Sequence, residues 1–377
     1  MNRTNLKRIN GLILAITIGI STALSSSALP SESGDVPANS DMWSSPVQRI
    51  PAAESNQLYK QPQKKELSKT ETLDETYRKS GDMKLSDGDF TGALDEYDKA
   101  LQVNSKNAMA YYGRGRVRLA TSDYSEARID LNKALTIDSN LTSARLALIG
   151  ILMYTRDFAS GISEATKVVE SDPRNALAYY ERGICNGEVG RRADAINDLS
   201  EAKSLLLADG DQVGCDFVNF SLGKQYQENG RYAAYQKDFE TALKDFDAAL
   251  SINSASAATL IAKASVEAEM GSKEAALADY NKAIEVAPLL ADAYKQRGNY
   301  YMQTASYKLA QEDFTRALAI DPSDPELYNS RGRTYEALGN MDDANADYKQ
   351  AQVVAKTQSK QETEQLTKTI TDLVQKV

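Results

Sequence analysis

A skeleton of aromatic and small residues recurs every 34 residues along the C-terminal part of the chain. This period constrains the fold more than any other feature of the sequence. The stretch from Ala291 to Pro322 holds Gly298 inside an otherwise helical pattern, although a glycine there costs about 1 kcal/mol relative to alanine. The glycine recurs 34 residues later as Gly332. A fixed period of this length is typical of stacked repeat proteins, in which each unit packs on its neighbours.

One unit shows the pattern nearly complete, with aromatic, small and proline residues at regular intervals. Counted from Ala291 as position 1, its skeleton is Tyr294, Gly298, Tyr301, Ala310, Phe314, Ala317 and Pro322. This skeleton resembles the tetratricopeptide repeat, in which each unit is an antiparallel pair of helices, A and B. The resemblance implies an all-α, right-handed superhelical solenoid. A small residue where the two helices cross lets their backbones approach, so we interpret Gly298 as a packing residue.

The same register extends over eight units and sets the predicted domain boundaries. We expect a signal peptide over 1–25, a disordered linker over 26–70, a repeat array over 71–358 and a C-terminal capping helix over 359–377. The capping helix is predicted from apolar residues at helical spacing, namely Leu366, Ile370, Leu373, Val374 and Val377. The predicted units lie near 74–107, 108–141, 142–175, 176–209, 216–256, 257–290, 291–324 and 325–358.

The fifth unit departs from the regular spacing. Its aromatic–alanine pair, Phe239 with Ala242, recurs seven residues later as Phe246 with Ala249. Seven residues are about two helical turns, so such an insertion keeps the buried face in phase. The sequence therefore predicts a helix B about two turns longer than its neighbours, in a unit that starts near Asp216.

The N-terminus has the three parts of a secretory signal peptide. Arg3, Lys7 and Arg8 precede the uncharged apolar run from Gly11 to Leu24, and small residues follow it. The run is too short to span a bilayer comfortably as a mature helix. We expect export to a periplasm or to the outside of the cell, with no stable membrane span after cleavage. The alternative is a chain tethered to the membrane by an uncleaved signal.

Composition narrows the classes of function. The formal net charge of −9 and the sequence pI near 4.9 argue against a nucleic-acid partner, because that binding needs clustered Lys and Arg. The chain contains no histidine, which removes the commonest general base and zinc ligand. We therefore expect no cofactor, no metal and no enzymatic activity.

The two cysteines, Cys185 and Cys215, are too few for a disulfide framework. With neighbouring A helices in register, they are offset by about ten residues, or ~15 Å along the helix axis. A disulfide needs Cα atoms within about 7 Å, so we expect no intramolecular bond.

The resemblance also implies where a partner binds. In the tetratricopeptide repeat family, positions 2, 5, 9 and 12 of each helix A line a concave groove that holds a peptide or protein surface. An apolar middle and a polar C-terminal end are predicted, and apolar groups exposed on a concave face indicate a partner. The alternative is that stacking buries the apolar side chains between adjacent A helices. The predicted groove residues are Met109, Tyr112, Leu146, Met153, Leu177, Tyr180, Ile184, Phe217, Phe220, Lys295, Asn299, Asn329 and Arg333.

The polar end partly matches one subclass of the family, which captures a C-terminal carboxylate. Lys295 and Asn299 match its first pair of positions. Asn329, however, is displaced by one position. Lys360 could match a further lysine of the subclass, but Glu364 stands where the subclass has an arginine. A carboxylate there would repel the ligand. The alternative for this end of the groove is a solvated polar face.

These observations favour an exported, non-enzymatic scaffold that binds a peptide or protein partner in the concave groove. The alternative is a structural or oligomerising spacer that uses the convex face or the ends of the solenoid. The sequence sets neither the partner nor the oligomeric state.

Overall fold

The computed structural model describes residues 72–374, and every regular element in this range is an α-helix. The predicted signal peptide, the predicted linker and Val377 lie outside the described residues. The helices are α1 Leu73–Asp87, α2 Phe90–Val103, α3 Ala108–Ala120, α4 Tyr124–Ile137, α5 Thr142–Tyr154, α6 Phe158–Ser171, α7 Ala176–Glu188, α8 Arg192–Ala208, α9 Gln212–Tyr235, α10 Phe239–Ile252, α11 Ala257–Glu269, α12 Lys273–Val286, α13 Ala291–Gln303, α14 Tyr307–Ile320, α15 Pro325–Ala337 and α16 Met341–Val374.

The helices follow one another as pairs, A then B, from α1 with α2 to α15 with α16. This confirms the predicted all-α repeat fold. The chain separates into two compact units within α9: the first unit ends at Gln225 and the second begins at Tyr226. Within each unit, helix B also contacts the next helix A, and several neighbouring A helices touch directly, such as α5 with α7 and α13 with α15.

The core of each pair lies where the two helices cross. In four of the pairs a helix-A glycine faces a helix-B aromatic ring, and three of these rings, Tyr97, Phe246 and Phe314, are fully buried. A methyl group on Gly298 would lie 2.9 Å from Phe314 Cε1, closer than van der Waals contact allows. The prediction that Gly298 is a packing residue is confirmed. The glycine–aromatic pairs are Gly81 with Tyr97, Gly230 with Phe246, Gly298 with Phe314 and Gly332 with Tyr348.

Every A-to-B turn is built in the same way. The fifteenth residue of each unit has a positive φ, which ends helix A. The next residue caps helix B where it is aspartate; for example, Asp89 accepts a hydrogen bond from Gly92 N and Asp157 from Ser160 N. The eight positive-φ residues of these turns are Gly88, Ser122, Arg156, Gly190, Lys237, Gly271, Ala305 and Gly339.

Exchanging residues at these turns tests the backbone argument. Gly339 has φ 84°, and a methyl group added to it would meet no atom within 4 Å, so only backbone conformation opposes a side chain there. We expect Gly339→Ala to lower the free energy of unfolding of the second unit by about 1 kcal/mol. Ala305→Gly should raise it by less, because the relief of strain is offset by glycine's conformational entropy. Thermal unfolding of both variants measures this, and a neutral Gly339→Ala would contradict it.

The prediction for the fifth repeat is wrong in its placement of the extra length. Helix B, α10, has the ordinary 14 residues, whereas helix A, α9, has 24. Gly230 is the glycine that faces the helix-B aromatic Phe246. The regular repeat therefore runs over 223–256, and residues 212–222 extend helix A at its N-terminal end.

The C-terminal segment also differs from the prediction. Helix α16 has 34 residues and continues past position 358 without interruption, so residues 359–374 extend the last helix B instead of forming a separate helix. The side chains of Leu366, Ile370, Leu373 and Val374 lie outside the described residues. Their capping role stays a prediction.

Candidate partner-binding surface

The predicted apolar middle of the groove is mostly buried. Five of its side chains are covered within the first unit, and they cannot line an open groove. Their neighbours explain this, because α5 and α7 are adjacent A helices in direct contact and α5 is apolar on nearly all sides. The predicted groove is wrong at these positions, since helix stacking hides them. The exposed fractions are 4% for Leu146, 0% for Met153, 7% for Leu177, 3% for Tyr180 and 8% for Ile184.

The extension of α9 covers part of the same region. The Phe217 ring packs against Tyr180, with ring centroids 5.1 Å apart, and Ser221 Oγ lies 3.4 Å from the Tyr180 hydroxyl oxygen. These two contacts come from residues that the regular repeat lacks. Phe217 is half-buried, and Phe220 is 42% exposed. The insertion therefore fills space against α7 that an open groove would need.

The remaining apolar groove residues lie on α3. Met109 is 41% exposed. Tyr112 is half-buried, and the Arg116 guanidinium lies 5.5 Å from its ring centroid. Two exposed side chains, Met109 and Phe220, thus remain of the nine apolar residues that the sequence assigned to the groove.

Glu181 is a buried acid beside Tyr180 on α7. It is 1% exposed, and its Oε2 atom has no hydrogen-bond partner in the described part of the chain. Burial raises its pKa well above the ordinary value of 4.5. The Glu181 side chain in turn contributes to a raised pKa of the Cys185 thiol, after burial, which is the main cause.

This burial makes the stability of the first unit depend on pH. Above pH 4.5 the unfolded chain ionises Glu181 while the folded chain keeps its proton, so the free energy of unfolding falls as pH rises. We expect Glu181→Gln to stabilise the first unit at pH 7 by on the order of 1 kcal/mol. The gain should shrink towards pH 4. Hydrogen exchange of α7 amides at several pH values measures it, with the exposed Glu188→Gln as control; a gain independent of pH would contradict the argument.

The predicted polar residues come together in the second unit. Two adjoining hollows have volumes of about 420 and 530 Å³. Helices α11, α13 and α15 line the first and α13 and α15 the second, and aromatic rings of the B helices complete them, Tyr280 and Phe314 in the first and Tyr348 in the second. Both include Asn299, Ser330 and Arg333, and the second also includes Lys295 and Asn329. We call the surface formed by these five residues the polar concave surface. All four polar residues predicted for the groove belong to it.

The two cations of this surface, Lys295 and Arg333, differ in whether a carboxylate already pairs with them. Lys295 Nζ lies 3.1 Å from Asp324 Oδ2 and 2.5 Å from Glu326 Oε2. Burial by itself lowers the pKa of Lys295, but hydrogen bonds to Glu326 and Asp324 raise it overall, so the ammonium stays charged and paired. The partner of Arg333 is a hydroxyl, since its Nη2 donates to Ser330 Oγ at 3.1 Å.

Lys360, which could match the carboxylate-binding subclass, is also paired. Its Nζ lies 3.8 Å from Glu364 Oε1, one turn along α16. With Lys295 held by two carboxylates and Lys360 by a third, the subclass pattern is not assembled here.

A second set of polar residues was not predicted from the sequence. The seventh residue of helix A pairs with the twenty-third residue of the same unit, on helix B, as in Arg297 with Asp313 at 2.7 and 2.8 Å. A third acceptor comes from the preceding helix B; for Arg297 it is Asn281 Oδ1 at 2.6 Å. The sequence feature that could have predicted these ion pairs is an arginine followed by an aspartate 16 residues later. The other such pairs are Arg114 with Asp130, Arg182 with Asp198 and Arg331 with Asp347.

The two cysteines face different neighbours. Both are free and buried. Cys185 Sγ would meet a methyl group on Gly161, whereas Cys215 Sγ lies 3.8 Å from the Lys203 carbonyl oxygen. Among residues 72–374 there is no group of three or more metal-ligating side chains. No helix in that range combines the length and apolarity needed to cross a bilayer.

Comparisons with known proteins bear on the repeat. A family model described as Tetratricopeptide repeat matches residues 79–141 and 295–359, and a second model with the same description matches residues 257–288. The last match coincides with the sixth predicted unit. No curated protein matches the chain at the sequence level.

Several solved structures align with parts of the chain, and the first of them shares the fold. The C-terminal part of a TPR repeat-containing protein from Cytophaga hutchinsonii aligns over 67% of this chain and 98% of its own, with 16% identity and a TM-score of 0.50. YrrB, described as a TPR protein with an unusual peptide-binding site, aligns over 50% of this chain and 90% of its own, with 24% identity and a TM-score of 0.40. MamA from Desulfovibrio magneticus RS-1 aligns over 50% and 99%, with 19% identity and a TM-score of 0.39. The family models therefore identify tetratricopeptide repeats, the units of a class of protein-interaction scaffold, over these residues of the chain, and the sixteen described helices are consistent with about eight repeats.

Proposed function

We propose that the chain is an exported, non-enzymatic scaffold that binds an extended peptide segment of a partner protein on the polar concave surface. The observation that carries this proposal is the pair of hollows that share Asn299, Ser330 and Arg333 and so form one surface across three A helices. Adjacent helix axes lie about 8–10 Å apart, so three helices span roughly 20 Å. That is the length of about six extended residues.

The chemistry of this surface suits a polypeptide main chain. Gln296, Asn299, Gln303 and Asn329 line the two hollows. Each amide side chain offers two donors and an acceptor, which match the carbonyl and N–H groups of an extended chain. A surface of this kind offers an extended segment polar contacts along its main chain. Export is supported by the basic N-terminus and by the apolar run from Gly11 to Leu24.

The proposal is tested by capturing partners from an envelope extract with the full chain and two variants. Asn299→Glu/Arg333→Glu changes the charge of the concave surface by three. The matched control, Lys308→Glu/Ala319→Glu, makes the same change at exposed positions of α14. We expect a partner that the chain and the control retain and the concave variant loses. A partner that all three retain would overturn the concave site and favour the convex face or the ends.

Export has a separate test. We expect the chain recovered from the source cell's envelope or medium to lack its first residues, with a mature N-terminus near Ser26. Mass spectrometry of the purified protein measures this. An intact Met1 in a membrane fraction would instead support the uncleaved, tethered form.

A further inference from the structure

The two hollows of the polar concave surface contain few charged groups, and nearly all are already paired. Among their lining residues, Glu326 holds Lys295, and Glu269 forms an ion pair with Lys237. Tyr348 donates its hydroxyl to Glu336 Oε2 at 2.9 Å, so that carboxylate is occupied as well. Arg333 is the exception: it is exposed, and within residues 72–374 it forms no ion pair.

Arg333 also stands where the hollows meet. It lines both, together with Asn299 and Ser330. The guanidinium has five N–H donors in a planar fork, and Ser330 Oγ accepts from one of its terminal nitrogens. The remaining donors match the two oxygens of a carboxylate. The surrounding amides of Asn299 and Asn329 favour a peptide on either side of that carboxylate.

We propose that Arg333 binds a carboxylate of the partner segment, and that it does so without Lys295. This rests on the proposed function and names the chemical class of the partner: an extended peptide with one acidic side chain near its centre. The single positive charge of Arg333 balances one negative charge on the ligand. Because Glu326 and Glu269 are also part of the lining, a second negative charge on the ligand meets repulsion.

Three short synthetic peptides separate the sources of the carboxylate. The first is capped at both ends and carries a central glutamate, the second is identical but carries glutamine, and the third is the glutamine peptide with a free C-terminus. Binding to the ¹⁵N-labelled full chain is followed by the shifts of Asn299, Ser330 and the Arg333 side-chain N–H. We expect the central-glutamate peptide to bind roughly fivefold more tightly than the capped glutamine peptide, near the upper range for an exposed ion pair. A preference for the free C-terminus instead would overturn the inference.

Two variants assign the effect. Arg333→Gln should remove the preference, so that the peptides bind it with equal affinity, whereas Lys295→Gln should retain the preference. Equal binding of all three peptides, with shifts at Asn299, would overturn this inference and leave the proposed function intact. A preference that Arg333→Gln retains would also overturn it. If no peptide shifts the concave resonances, the proposed function and the inference both fail.

Discussion

Asp130→Ala is expected to destabilise the first unit by about 3–5 kcal/mol, the range for removing one partner of a buried ion pair. Asp130 is 1% exposed and accepts hydrogen bonds from two arginines of α3. Arg114 donates to it from Nε at 2.9 Å and from Nη2 at 2.6 Å, and Arg118 donates from Nη1 at 2.6 Å. The hydrogen bond to Asp130 is also the main cause of the raised pKa of Arg114. Removing this carboxylate leaves both guanidinium groups without their buried partner.

Asp98 supplies the matched control. It also accepts from Arg114, at 2.5 Å from Nη1, but its side chain is 50% exposed. We therefore expect Asp98→Ala to cost less than about 1 kcal/mol, as exposed ion pairs do. Native-state hydrogen exchange of the α3 and α4 amides measures both variants, and it reports the first unit without assuming that the whole chain unfolds in one step. Equal effects of the two substitutions would contradict the role given to burial.

Gly298→Val is expected to destabilise the second unit by about 2 kcal/mol, because added bulk in a packed core forces its neighbours apart. The helix propensity of valine exceeds that of glycine, so propensity alone predicts the opposite sign. Phe314 is fully buried, with Cε1 and Cδ1 at 2.9 and 3.1 Å from the position of a methyl group on Gly298. Urea unfolding of the variant, followed at α13 and α14 by hydrogen exchange, measures the loss.

Two further variants identify the cause. Lys308→Val places valine at an exposed position of α14, where we expect a change within about 0.5 kcal/mol. The double variant Gly298→Ala/Phe314→Leu replaces the phenylalanine ring at the helix crossing with a shorter side chain. We expect this double variant to be more stable than Gly298→Val. If the Gly298→Val chain is as stable as the unmodified chain, the helix crossing is not tightly packed and the argument is contradicted.

The fifth repeat explains why one prediction about the fold failed. Gly223 and Gly230 are seven residues apart, and seven residues are close to two turns, so both glycines lie on nearly the same face of the helix. Two registers therefore fit the sequence equally well. Long-range packing chooses between them: Phe246 faces Gly230, and Asn229 donates to Asp245 at 2.5 Å. Neither contact can be read from the spacing of one helix.

The candidate site also has features that the sequence predicts and features that only the structure shows. Lys295, Asn299, Asn329 and Arg333 could be assigned to one surface from their repeat positions, because each lies on the same side of a helix A. The ion pairs of Lys295 could not be predicted from the sequence, since Asp324 and Glu326 approach Lys295 only when α13 and α15 are stacked. Because Lys295 is paired in this way, we propose Arg333 as the anion-binding group in its place.

By itself, the sequence determined the helix pairs, their crossings and the limits of most repeats. These depend on contacts within about 34 residues, and the period of small and aromatic residues records them directly. Tertiary structure decided which helix of the fifth repeat is long, and which groove side chains remain accessible. Leu146 and Tyr180 were predicted to face a partner, but neighbouring helices cover them. The physical reason is that the exposure of a side chain on a stacked helix depends on what the next repeat places over it.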